Sequence, residues 1–427
     1  MLSLSNLNKG FQLYIFILIV IIIPFSKHLL PYAMFLWVLS GVLLIRKRKF
    51  ENFTSNKLFL FAPLLFYFLH IIGLIYTNNM HSGIFDLEIK LSIFFIPVII
   101  VFISDKVLQR KDIILSVFVR ANFIVSVICL IIALNNSIVR TEQGGLIFEF
   151  SHWPTVTEGF SFVKLINYRY SNLSHAFLSI FQHPSYFALY ILFSIVILLY
   201  FIKSGKQNKW FNYLLVVYFS GFIWLLGSRA AYISYFIILV LFVSYLILKY
   251  KRYIVILSGF IVVLAAFFII LSNKQLQKNL KESVSIVTNS MTLNENSDIR
   301  LWLWKSGMQI FKDNWLFGVG TGDIDLSLDT IYKEYGLELA DEHNYNTHNQ
   351  YLDVAIKLGV FGLAAFLLWI FGPIYVALKK KHFLLFFFML IVAINLFFEN
   401  MLNTISGVSF IAFFYSLLIA GVIKKGT

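Results

Sequence analysis

The sequence predicts an all-α integral membrane protein of about twelve transmembrane helices. Composition argues first: of 427 residues, 59% are hydrophobic and 13% charged, where an ordinary soluble domain carries about a quarter charged residues. The apolar residues also come in runs of roughly 16 to 22, and about 20 helical residues cross a hydrocarbon core. Finally, the basic residues fall in alternate connections, as the positive-inside rule requires of a multi-pass chain.

The runs place spans at about 11–25, 29–45, 58–76, 89–104, 113–134, 184–202, 210–226, 230–248, 253–271, 349–378, 383–398 and 403–423. The first follows Lys9 as a signal peptide would, but no small-x-small cleavage site follows in 26–32, so it is read as an uncleaved helix. The chain then divides into nine spans over 1–271, an external segment with amphipathic helices over 272–347, and three spans over 348–427. That large loop between spans nine and ten has room for structure outside the membrane.

The net charge of +14 is explained by topology. Basic residues gather at Arg46–Lys49 with Lys57, at Lys106, Arg110 and Lys111, at Lys203, Lys206 and Lys209, at Lys249–Arg252, at Lys379–Lys381 and at Lys424–Lys425. The short connections on the other side carry Lys27, Lys90 and Arg229. Both termini are therefore expected in the cytoplasm. No basic stripe with interleaved aromatics stands on a soluble face, so nucleic acid is not an expected partner. The single cysteine, Cys129, falls inside the fifth span, and no disulfide framework holds the external segments.

Charges within or at the edge of a span each need a reason. Asp353 and Lys357, and likewise Asp86 and Lys90, stand four residues apart, the spacing of a pair along one helix. Arg120 can snorkel toward headgroups. Three further groups fall at the external face: Arg229 in the short turn Gly227-Ser228-Arg229-Ala230-Ala231, Arg300, and His348 where the long segment re-enters the membrane. Arg300 opens a stretch in which Leu301, Trp304, Met308 and Phe311 keep the spacing of an amphipathic helix, with Asn296, Ser297 and Asp298 as candidate caps. An arginine in a first helical turn faces the positive end of the dipole unless an anion is shared there, which suits a phosphate. A histidine beside it has the pKa range to accept a proton near neutrality. Two arginines and a histidine at one depth make an anion clamp beside a base.

Other patterns carry less. Asp323-Ile324-Asp325 has the acid-x-acid form of a divalent-cation site, but a three-residue pattern arises easily in an acidic loop. His343 and His348 are five apart and do not share a helical face, so a zinc site is not expected. Gly318-Val319-Gly320-Thr321-Gly322 has no strand and helix framing it as a dinucleotide fingerprint would; it reads as a turn closing onto the membrane. Gly-x-Ser-x-Gly is absent around Ser228.

Taken together, Gly227–Ala231, Arg300 through Trp304, Leu316-Phe317-Gly318-Val319-Gly320-Thr321-Gly322, and His348-Asn349-Gln350-Tyr351-Leu352 followed by Gly359-Val360-Phe361-Gly362 resemble the O-antigen ligase family across roughly 180–420. That family shares its C-terminal domain with O-antigen polymerases. Weaker echoes are Leu87–Ser92 with Lys90, Gln182-His183-Pro184-Ser185, and Glu399. Where the family often has proline before Leu-Phe-Gly, this chain has Trp315. The resemblance implies a metal-independent, inverting glycosyltransferase of the GT-C type, without a cofactor. It would take a glycan from undecaprenyl diphosphate at the periplasmic face and pass it to a glycolipid or saccharide acceptor, lipid A core in ligases. Carried over residue by residue, it implies His348 as catalytic, Arg229 and Arg300 as diphosphate-binding, and Lys90, His183, Asn349 and Glu399 as supporting. A polymerase using a second lipid-linked repeat as acceptor is the nearest alternative. A transporter or flippase is disfavoured, because no pair of Gly- or Pro-broken spans recurs at matching positions in two halves.

Overall fold

The computed structural model describes residues 4–45, 57–102, 105–140, 146–148, 172–205, 207–250 and 299–423. The expected ninth span at 253–271, the segment up to residue 298 and the candidate caps Asn296, Ser297 and Asp298 lie outside the described residues. Six described helices are long and apolar enough to cross a membrane, and four shorter ones are apolar throughout.

The chain forms two compact units, one of residues 1–118 and 296–427 and one of residues 119–295. The first contains α1 (Leu4–Phe25), α2 (Leu30–Ile45), α3 (Lys57–Gly73), α4 (Met80–Phe102), the short α5 (Asp105–Gln109) and the start of α6 (Lys111–Asn135). The second continues α6 and adds a hairpin of β1 (Ile138–Arg140) and β2 (Leu146–Phe148), a one-turn α7 (His175–Leu178), α8 (Pro184–Ser204), α9 (Lys209–Leu226) and α10 (Arg229–Tyr250). The chain then completes the first unit with α11 (Ile299–Asp313), α12 (Ile324–Glu334), α13 (Glu338–Glu342), α14 (Gln350–Lys379), α15 (Phe383–Phe398), a 3₁₀ turn at Met401–Asn403 and α16 (Ile405–Ile423). The span expected at 403–423 begins after that 3₁₀ turn.

In the second unit α8 is buried from Pro184 through Leu199 except for Tyr186, as a helix apolar all round should be. α9 packs along it, and Ser126 Oγ and Tyr218 Oη lie 3.0 Å apart between α6 and α9. Glycines close both ends of the short connections: Gly205 and Gly227 adopt left-handed φ of 68° and 66° as C-caps of α8 and α9. Asn208 caps α9 by accepting the amides of Trp210 and Phe211. The β1–β2 hairpin was not expected from the sequence; three-residue strands carry too short a period to be read.

The first unit is built on α3, α4, α14, α15 and α16. Aromatic rings fill it: Phe66 lies 5.2 Å from Phe366 and 5.5 Å from Trp369, and Phe118 4.7 Å from Phe414. α4 starts nine residues before the span expected at 89–104, because Asp86, Glu88 and Lys90 are taken into the helix. Asp86 and Lys90 can be, since their charges are paired with each other and with α14.

α14 is broken at Gly359, whose φ of 61° and ψ of −157° are open to little but glycine. The break exposes backbone that a straight helix would satisfy, and the loop after α11 takes it up. Val319 and Gly320 donate their amides to the carbonyls of Ile356 (2.9 Å) and Lys357 (3.0 Å), while Val360 donates to the Trp315 carbonyl (2.9 Å). A Cβ on Gly359 would collide with the Leu316 carbonyl, and one on Gly318 with the backbone of Ile356 and Lys357. The glycine-rich turn therefore does close onto a span, as a strand-like strap seated in the kink.

Above this, α11, α12 and α13 form a layer whose core is Leu303, Ile310, Ile324, Leu328, Tyr332 and Ala340 on Leu352 and Ile356 of α14. The buried face of α11 differs from the expected one: Leu303, Ser306, Gly307 and Ile310 are covered, whereas Met308 is 47% exposed. The reason is steric. Only Gly307 allows α11 to approach Leu352 and Ile356, which rotates the helix about one residue from the bulky stripe and leaves Trp304 and Phe311 at the edge of the core.

Gly359→Val is expected to destabilise the folded chain by about 3 kcal/mol or more, combining a forbidden backbone conformation with a backbone collision. A lowered thermal midpoint of the detergent-purified protein checks this.

Candidate functional site

The site grows from three chain ends that meet in the first unit. α11 begins at Ile299, so Arg300 stands in its first turn. α14 is capped by Asn349, whose side-chain oxygen accepts the amides of Tyr351 (3.0 Å) and Leu352 (3.2 Å), and His348 is the residue just before that cap. α15 ends at Phe398 with Glu399 as its C-cap.

Glu399 joins the three. Arg300 donates from Nη2 to Glu399 Oε1 at 3.0 Å and from Nη1 to the Phe398 carbonyl at 3.2 Å. The second carboxylate oxygen, Oε2, lies 3.1 Å from His348 Nδ1. A carboxylate only accepts, so Nδ1 carries the proton of this bond and the ring's other nitrogen, Nε2, is the one that can accept a proton. The side chains are 24% exposed for Arg300, 14% for Glu399 and 30% for His348, so the trio is partly covered and still reachable from outside. His348 holds a left-handed φ of 46°, unusual for a residue with a Cβ. Its amide donates to Asn346 Oδ1 at 2.9 Å, which with the Asn349 cap fixes that conformation.

Behind this trio lies a buried ionic cluster. Lys90 donates to Asp86 Oδ1 at 2.6 Å; Lys357 donates to the same oxygen at 3.1 Å and to Asp353 Oδ2 at 3.2 Å. Two acids and two bases cancel, which is what makes their burial in apolar helices tolerable. Asp353 Oδ1 accepts from the side chains of Asn400 (2.9 Å) and Asn403 (3.0 Å), and Oδ2 also from Gln350 (3.2 Å). Asn400 in turn bonds Thr347 Oγ1 at 3.3 Å.

Residues 214–367 match the sequence model of the family described as O-antigen ligase. Over this stretch, about a third of its length, the chain is similar to the O-antigen ligase family. No curated protein matches it. With its apolar helices it is a multi-pass integral membrane protein. The family match takes in Arg229, Arg300, His348 and Asn349, while Glu399 lies beyond it.

The expected residues fall into distinct settings. Arg300, His348 and Glu399 are brought together. Asn349 adjoins them but its side chain caps α14. Lys90 is wholly buried on Asp86, in the ionic cluster. Arg229 and His183 belong to the second unit: Arg229 is the first residue of α10, and His183 is the N-cap of α8, its Nδ1 accepting the Ser185 amide at 3.4 Å. The sequence reading missed the union of the two acid–base pairs into one cluster, and missed Asn400 and Asn403. Its one available signal was the pairing of charges at the same helical spacing on α4 and α14.

Asp323 of the acid-x-acid pattern is accounted for as a clamp. It is buried, and its two oxygens accept the amides of Asn78 and Asn79 at 2.7 Å each, with Asn78 Nδ2 at 3.2 Å. Among the described residues no group of three or more His, Cys, Asp or Glu is disposed to hold a metal ion. Burial works against the ionised Asp323, but the Asn78 and Asn79 amides outweigh it and hold the carboxyl below its usual range. A depressed folded pKa gives stability that is complete above the unfolded value of about 3.9 and is lost as pH falls below it. Asp323→Asn is expected to cost about 2 kcal/mol near neutrality and to remove this acid-sensitive part. Thermal melts of both proteins from about pH 3 to 6 check it, the two curves converging at the acid end.

Proposed function

We propose that this chain is a metal-independent, inverting glycosyltransferase of the GT-C type with about twelve spans and both termini in the cytoplasm of a bacterial cell. It moves a glycan from undecaprenyl diphosphate to an acceptor sugar hydroxyl at the periplasmic face, as an O-antigen ligase does with lipid A core as acceptor. The observation that carries this reading is the Glu399 carboxylate shared between Arg300 and His348, supported by the match of residues 214–367 to the O-antigen ligase family.

The chemistry follows from that arrangement. The acceptor hydroxyl attacks the anomeric carbon, a new carbon–oxygen bond forms on one face, and the bond to the diphosphate oxygen breaks on the other, inverting the centre. The hydroxyl proton passes to His348 Nε2, and the electron pair of the broken bond leaves on the diphosphate. Glu399 holds the ring through Nδ1 and stabilises the imidazolium as it forms, a role a carboxylate plays beside many catalytic histidines. Negative charge growing on the diphosphate is met by the guanidinium of Arg300, shared between Glu399 and the donor. Diphosphate is a good leaving group, so no general acid is required.

In a transfer assay with purified protein and lipid-linked glycan, Arg300→Ala and His348→Ala are expected to leave membrane insertion intact and to lower turnover by about 10²-fold or more. Full activity in both overturns the assignment. Glu399→Gln keeps the shape but removes the charge, and is expected to lower kcat by about 10- to 100-fold. A polymerase, which would use a second lipid-linked repeat as acceptor, is separated by a knockout. Polymer left on the lipid carrier with a bare acceptor marks a ligase; single repeats on the acceptor mark a polymerase.

A further inference from the structure

We propose that Asp353 and Asn400 are positioning residues for glycan transfer: the buried ion quartet anchors Asp353, and Asp353 through Asn400 sets the two chain segments that present Glu399 and His348. This rests on the transfer mechanism proposed above and adds to it the device that holds its base in register.

The chain of contacts runs without a gap. Lys90 and Lys357 both hold Asp86, and Lys357 also holds Asp353, so α4 and α14 are locked at one level. His70 of α3 closes the cluster, with Nε2 3.8 Å from Asp86 Oδ2. Asp353 then takes Asn400 and Asn403 on one oxygen and Gln350 and Lys357 on the other. Gln350 in turn accepts the Leu402 amide at 2.7 Å. The connection from α15 to α16, residues 399–404, is thus tied to the first turn of α14 by side chains. Asn400 has two N–H donors; one goes to Asp353 and the other to Thr347 Oγ1. Glu399 precedes Asn400 in sequence, and His348 follows its partner Thr347. The amide of Asn400 therefore fixes the spacing of the two segments across which Glu399 and His348 meet at 3.1 Å.

A cluster present only to neutralise charge would not need this geometry. The charges balance once Asp86, Lys90, Lys357 and Asp353 are paired, and the further donors that Asp353 needs as a buried carboxylate are supplied from the segment next to Glu399. Positioning makes a different demand, since a catalytic base displaced by about 1 Å can lose about 10²-fold in rate.

The test is steady-state transfer by the purified full chain, using undecaprenyl-diphosphate-linked glycan and glycolipid acceptor extracted from the cells that make the protein. Asn400→Leu leaves all four charges paired and removes the tether. Asp353→Leu combined with Lys357→Met removes the anchor while keeping the buried charge balanced. Both are expected to fold, to keep the KM for the lipid-linked donor within about threefold, and to lose kcat by about tenfold to a hundredfold. Asp323→Asn, which weakens the fold at a clamp outside the Asp353–Asn400 tether, is expected to keep wild-type kcat at a temperature where it stays folded. A folded Asn400→Leu with wild-type kcat overturns the inference, as does an equal kcat loss in folded Asp323→Asn. Should the double variant fail to fold, Asn400→Leu decides alone. Arg300→Ala and His348→Ala run in the same assay: if they are inactive while Asn400→Leu is fully active, only the positioning role fails; if they are active, the transfer mechanism itself fails.

Discussion

A carboxylate away from bulk water must be surrounded by donors, and in this chain that demand decides which distant segments meet. Arg300 and His348 lie 99 and 51 residues from Glu399 in sequence, yet both are bonded to it. Removing the carboxylate would leave a guanidinium and an imidazole, both able to carry positive charge, with nothing between them. The same logic operates one layer deeper, where Asp353 collects Lys357, Gln350, Asn400 and Asn403. The acids of this region gather distant segments around themselves, and Arg300 and His348 are placed as a result.

α14 brings these demands together within three turns. Its cap at Asn349 ends the His348 segment, its first turn carries Gln350 and Asp353, its second carries Lys357, and Gly359 then breaks it. The break is useful because it frees the carbonyls of Ile356 and Lys357 for the loop that follows α11. Irregular backbone at the level of a membrane span is tolerated only where protein satisfies it, and the Gly318–Gly322 strap does so. One consequence is that α11, and with it Arg300, is fastened to the same helix that carries the His348 segment at its N-terminus. Gly307 completes the attachment from the other side, against Leu352 and Ile356.

Much of this could be read beforehand. Helical spans are legible because a hydrocarbon core imposes a length and forbids charge, and the described spans fall where the apolar runs do. Arg300 in a first turn and His348 ahead of a span were visible from local pattern alone, and Glu399 was marked by resemblance. What was hidden is what depends on pairs from different helices. Asp86 and Lys357 are 271 residues apart, and no periodicity within α4 or α14 states that their charges will meet. The face of α11 was misjudged because hydrophobic spacing favours large side chains, whereas the packing is decided by the smallest residue, Gly307. The clamp made by Asp323 was hidden too, because spacing says nothing about which backbone amides will reach a carboxylate.

The proposed transfer makes physical sense of Glu399 serving two partners at once. In the resting site the guanidinium of Arg300 is already oriented by the carboxylate and by the Phe398 carbonyl, so its dipole and charge need no reorganisation when a diphosphate arrives. A lysine could supply the charge but not a planar fork held from two directions. As the acceptor hydroxyl gives up its proton, His348 becomes an imidazolium whose new charge appears 3.1 Å from the carboxylate already bonded to it. At the same moment the diphosphate gains the negative charge that draws on Arg300. The two charges that develop in the reaction are opposite in sign, and each appears beside one partner of the Glu399 bridge. A neutral side chain in place of Glu399 would hold the shape and lose that compensation, so the proposed transfer calls for a carboxylate at the bridge.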